Sequence, residues 1–128
     1  MARPRAHDLT GRELEVMHIF WSHGQEATAQ EVRDRLATSG ADLTYTTVAT
    51  LVRTVQEKGF LAQVNEARPF RYRAIRSFDD TSERFVGQLI ERVFRGSREQ
   101  LFVRLFKHKK LTESERAFLQ QLLEEDEC

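Results

Sequence analysis

Cysteine is all but absent from this chain of 128 residues: the one present, Cys128, is the last residue. A lone thiol builds no disulfide framework, so a reducing cytosol is the expected compartment. Proline and glycine are scarce, two and six residues, which argues against a many-turned β-sandwich and for a mainly helical protein. No apolar run approaches the roughly 20 residues of a membrane span, so no membrane insertion is expected. The opening residues 1–8 lack the apolar stretch of a secretory signal. Net charge is also missing, with 20 basic residues against 20 acidic ones.

What is present is a chain 40% apolar and 31% charged, too apolar for disorder and long enough to bury a core without staples. The charge balance hides a local asymmetry. Residues 43–76 hold Arg53, Lys58, Arg68, Arg71, Arg73 and Arg76 against only Glu57 and Glu66, while residues 123–127 contain four acids. A basic segment inside a balanced chain is a candidate binding feature.

Four stretches pair Ser or Thr with Glu or Gln three residues on: Thr10–Glu13, Thr28–Glu31, Ser97–Gln100 and Thr112–Glu115. Such a capping box satisfies free N–H groups at a helix start, and each precedes an apolar periodic run. Helices are therefore expected over about 11–23, with Leu14, Met17, Phe20 and Trp21 inward, and over 29–38, with Val32 and Leu36 inward. A third begins after Thr44, where Val48, Leu51, Val52 and Val55 form one apolar face; Lys58-Gly59 ends it. The period then changes to two. Residues 60–64 and 70–74 read as short strands joined by a loop over 65–69. Phe70, Tyr72 and Ala74 share one face, Arg71 and Arg73 the other. Residues 77–80 read as a polar joint, followed by helices over about 82–95, 98–107 and 113–124.

Three short helices followed by a hairpin is the order of a winged helix-turn-helix, in which the third helix enters the DNA major groove and the hairpin lies on the flanking backbone. The outward face of the third helix fits that task. Close approach to base edges needs short side chains, a few donors and a small apolar group for the thymine methyl. Thr44, Tyr45, Thr46, Thr47, Ala49, Thr50 and Arg53 supply them, and Arg68, Arg71 and Arg73 of the hairpin are candidate phosphate contacts. The competing reading is a solvated threonine-rich face, or a module that binds another protein. Protein-binding versions carry large apolar or acidic residues on this face, so its small polar character favours double-stranded DNA.

The stretch Leu9–Trp21 (L-T-x-x-E-x-x-V-M-x-x-x-W) and the stretch Thr46–Gly59 (T-x-V-x-T-L-x-x-x-x-x-x-K-G) resemble the penicillinase-repressor family, and the likeness covers roughly residues 8–123. The resemblance implies a dimeric winged-helix repressor on a palindromic operator, with the last three helices as a dimerisation arm: a winged-helix domain over 1–77 and a helical region over 78–128. The residues support the arm independently. Phe85, Leu89, Val93, Leu101, Phe102, Leu105, Phe118, Leu119 and Leu122 belong to an apolar stripe too wide for three short helices to bury on each other, and a second copy is the natural cover.

Two departures from the family bear on regulation. Staphylococcal relatives are inactivated by cleavage of an Asn-Phe bond in the arm. The matching bond here is Arg104–Leu105, which argues against the same cut by a membrane sensor protease. Copper-responsive relatives carry paired Cys-x-Cys motifs, and one Cys128 cannot supply that site. Nor is another metal or cofactor expected: His18 and His23 are five residues apart, off the helical spacing that brings ligands together, and His7 and His108 stand apart. No nucleophile–base pair or phosphate-binding glycine loop appears, so an enzyme is not expected. A repressor of unrelated genes with a different inducer remains the alternative within the same fold.

Overall fold

The computed structural model describes residues 9–24 and 26–126; His7 and Cys128 lie outside them. Among the described residues the chain forms six helices and three short strands. In chain order these are α1 (Gly11–His23), β1 (Ala27–Thr28), α2 (Ala29–Thr38), α3 (Tyr45–Glu57), β2 (Leu61–Gln63), β3 (Arg71–Ala74), α4 (Phe78–Arg92), α5 (Arg98–His108) and α6 (Glu113–Asp126). The mainly helical winged-helix architecture expected from the sequence is the one observed.

The caps explain where the helices begin. Thr10 and Glu13 bond reciprocally, as do Thr28 and Glu31 and Thr112 and Glu115. At Ser97 the hydroxyl accepts from the Gln100 N–H at 3.2 Å. α3 starts on Thr44, whose hydroxyl accepts from the Thr47 N–H at 3.2 Å. It ends at Glu57 with Lys58 as the C-cap, and Gly59 follows with a φ of +89°, a backbone conformation that a side chain disfavours.

β3 is the central strand of an antiparallel sheet ordered β1-β3-β2. Ala27 pairs with Tyr72 on one side, and Gln63 pairs with the same residue on the other. β1 has only two residues, too few for any periodicity to announce it. The core gathers Val16, Met17 and Phe20 of α1, Val32 and Leu36 of α2, and Val48, Val52 and Val55 of α3, with Phe60, Leu61 and Tyr72 beneath. Burial of each such side chain contributes about 1.5–3 kcal/mol. Leu14, Trp21 and Leu51, expected inside, are half-buried, and Val16 takes the central place on α1.

The polar joint expected over 77–80 is instead a helix start. The Ser77 hydroxyl accepts from the Asp80 N–H at 3.0 Å, and the Thr81 N–H donates to the Ser77 carbonyl at 3.0 Å. Phe78 packs edge-on against Trp21, with ring centroids 5.4 Å apart, and Thr81 is buried. Ser77 therefore caps α4, and the aromatic contact with α1 holds its first turn. One compact unit of the chain runs to Phe85 and the second starts at Val86, a division within α4. In the second unit none of the described residues from 86 to 126 is buried.

Candidate nucleic-acid interface

The amphipathic pattern of α3 places its valines in the core and turns Thr46, Thr47, Thr50 and Arg53 outward, with Ala49 half-buried between them. This face forms one wall of a groove of about 690 Å³. Tyr45, Thr46, Ala49, Thr50 and Arg53 line that wall, and Arg68 and Phe70 of the hairpin line the other. Among the described residues, Arg53 and Arg68 are the groove's charged lining, and neither forms an ion pair. The Arg68 guanidinium lies over the Phe70 ring, 5.3 Å from its centroid, an arrangement that pre-positions the cation at the groove's rim. Tyr45 is half exposed. Thr44 is spent on the cap of α3, and its hydroxyl also donates to that of Thr47 at 3.0 Å.

The other two hairpin arginines sit elsewhere. Arg71 reaches Glu26 at 3.4 Å and Glu31 at 3.6 Å, and it donates to the Glu26 carbonyl at 3.2 Å. Its charge is compensated inside the fold. Glu31 answers in kind: the Thr28 N–H holds its carboxyl below the usual range, against the small opposing effect of burial, and Arg71 adds to the lowering. Arg73 is exposed and lines a different cavity, beside Trp21 and Phe78.

Two further devices position this surface. Asn65 organises the hairpin loop, its amide donating to the carbonyls of Ala67 at 2.9 Å and Pro69 at 3.1 Å while its oxygen accepts from the Arg71 N–H at 2.7 Å. An Asn at the start of a Pro-containing loop was the available signal. The second joins the start of α1 to the end of α3. Lys58 Nζ meets Glu13 Oε1 at 2.6 Å, with side chains 15% and 7% exposed, and the same carboxylate accepts from the Thr10 N–H at 2.9 Å. Burial works to raise the Glu13 pKa; the hydrogen bonds from Lys58 and Thr10 and the Lys58 charge outweigh it, so the carboxyl titrates below its ordinary value.

The arm residues are exposed in the single chain. Leu105 is 54% exposed, Phe118 59%, Val93 62% and Leu122 44%; Phe102 and Leu89 are also open to solvent, and Phe85, Leu101 and Leu119 are half-buried. The Arg104–Leu105 bond lies within α5 as expected.

Three helices, a hairpin and a groove walled by the third helix define a winged-helix DNA-binding protein. The family model described as "Penicillinase repressor" matches residues 9–125, and the chain belongs to that family of DNA-binding transcriptional repressors, which is regulatory and not enzymatic. It is also 31% identical over 116 residues to an "Uncharacterized 16.5 kDa protein in ptsI 3'region" of Latilactobacillus sakei, the match covering 91% of this chain and 78% of that one. Among the described residues no helix is long and apolar enough to cross a membrane.

Proposed function

We propose that this repressor acts as a cytoplasmic homodimer on a palindromic operator, with α3 of each protomer in the major groove and the hairpin on the neighbouring backbone. The observation that carries the reading is the groove's composition: short threonines and an alanine on α3, flanked by two cations that form no ion pair among the described residues, Arg53 and Arg68. Arg53 has the reach for a base edge or a phosphate next to it, and Arg68 is placed for a phosphate.

Homodimerisation draws on the arm. Helices α5 and α6 have apolar faces and no buried residue in the single chain, so an isolated protomer leaves Phe102, Leu105, Phe118 and Leu122 in water. A two-fold partner covers them and brings two half-site readers under one linkage, which raises occupancy through effective concentration. The same logic makes loss of the arm a route to release, while the Arg104–Leu105 bond inside α5 lacks the Asn-Phe chemistry of the staphylococcal cut.

The test begins with DNA fragments retained by the protein from its own genome. Against a retained fragment, Arg53→Ala should cost at least about 1 kcal/mol of specific binding and relax preference at one position per half-site. Unchanged affinity and preference in that variant would place the reading surface elsewhere.

A further inference from the structure

A second cavity, of about 710 Å³, opens where the end of α1, the end of β3 and the first turn of α4 meet. Phe20, Trp21, Phe78 and Ile75 supply its apolar wall, and Glu26, Arg73 and Arg76 are its charged lining. Phe78 and Ile75 are each 49% exposed, so flat apolar surface faces water here. The charges at its edge are unequally engaged. Glu26 lines the cavity, but Arg71 binds both its carboxylate and its carbonyl. Asp80, nearby in sequence, is shared by Arg76 at 3.9 Å and Arg84 at 3.4 Å. Arg76 is engaged by Asp80 and by the Gly59 carbonyl, so of the two lining guanidiniums only that of Arg73 forms no ion pair among the described residues. The indole N–H of Trp21 is already spent on the Arg76 carbonyl at 2.9 Å, which fixes the ring as a wall and removes it as a donor to a guest.

A cleft of this size with an aromatic wall and one lining cation that forms no ion pair among the described residues suits a small molecule with a flat hydrophobic body and one anionic group. Aromatic rings favour edge and face contacts with such a body, and a guanidinium matches a carboxylate in a two-pronged hydrogen bond. We propose that this cavity binds a small aromatic carboxylate, its ring against Trp21 and Phe78 and its carboxylate on Arg73. The cavity is lined by the continuous segment Arg73–Phe78, which leads from the sheet straight into α4. An occupant therefore bears on the root of the arm, and its regulatory effect rests on the dimeric-repressor reading above.

The chain's one tryptophan is Trp21, so its fluorescence reports the cavity without DNA. Phenylacetate is titrated into the full chain, with the neutral isostere phenylacetamide in parallel and Arg73→Gln as the variant. Arg73 is exposed and outside the core, and a melting curve checks that the variant folds. The expected result is a saturable change with phenylacetate, at least about tenfold weaker with phenylacetamide and in Arg73→Gln, the loss of one charged hydrogen-bonding partner. No saturable change, or an equal response to both compounds, overturns the site. Retention of an operator fragment is then measured with phenylacetate at saturation. A shift of about twofold or more supports the regulatory role, and an unchanged affinity overturns that role alone. Because the fluorescence titration contains no DNA, failure of the operator reading leaves its outcome intact.

Discussion

Replacing Lys58 with Met removes the cation that ties the end of α3 to the start of α1. Glu13 is 7% exposed and Lys58 15%, so water screens the pair little, and removing one partner leaves a buried carboxylate. Breaking a buried pair in this way costs about 3–5 kcal/mol. Glu13 retains its hydrogen bond from the Thr10 N–H, which places the expected loss near the lower end, about 3 kcal/mol. The double variant Glu13→Gln/Lys58→Met buries no charge at this position and keeps an acceptor for Thr10, so it should be more stable than Lys58→Met alone. Urea unfolding of the wild type, Glu13→Gln, Lys58→Met and the double variant at pH 7 gives the coupling energy, expected to be at least about 1.5 kcal/mol. Acid titration adds a second check. The folded pKa of Glu13 lies below its ordinary value of 4.5, so its contribution is fully present above that pH and is lost as pH falls through the folded value. Lys58→Met should lose less stability than the wild type over the same acid range. A Lys58→Met protein within about 0.5 kcal/mol of wild type, or strictly additive variants, would refute the reasoning.

Other expectations follow from single features of the structure. Thr81 is buried and its hydroxyl has no hydrogen-bond partner among the described residues; Thr81→Val keeps the shape, removes the unsatisfied group and should raise stability by about 1 kcal/mol, read as a higher melting temperature. Arg68→Ala should flatten the salt dependence of operator binding, the log–log slope falling by about 2 because each dimer then neutralises two fewer phosphates. Arg71→Ala, whose charge is already engaged by Glu26 and Glu31, should change that slope much less. Leu122→Glu places a charge on the exposed apolar face of α6, and sedimentation at micromolar concentration should then show a 15.0 kDa species where the wild type shows twice that mass; dimers in both would remove α6 from the interface.

Local rules were sufficient for much of this chain. The capping pairs at Thr10 and Thr28, the apolar period of Val48, Val52 and Val55, and Gly59 with its positive φ place α1, α2 and α3 without any tertiary information, because a cap and a 3.6-residue repeat are satisfied within one helix. The outward face of α3 was legible for the same reason: once the valines point inward, Thr46, Thr50 and Arg53 point out. Where local signals were short or ambiguous, reading failed. Two residues of β1 have no period, and Ser77-Phe-Asp-Asp80 reads equally as a polar joint or a helix cap until Phe78 meets Trp21.

The distribution of charge was decided only in three dimensions. The sequence shows six cations between residues 43 and 76 and treats them alike. Folding assigns Lys58 to Glu13, a carboxylate 45 positions away. It assigns Arg71 to Glu26 and Glu31, and Arg76 to the Gly59 carbonyl at 3.1 Å and the Phe60 ring. Arg53 and Arg68 remain for the groove of α3, and Arg73 for the cavity at the root of α4. Charge is a property of composition, but compensation is a property of distance, and the distances here are set by which helices pack together.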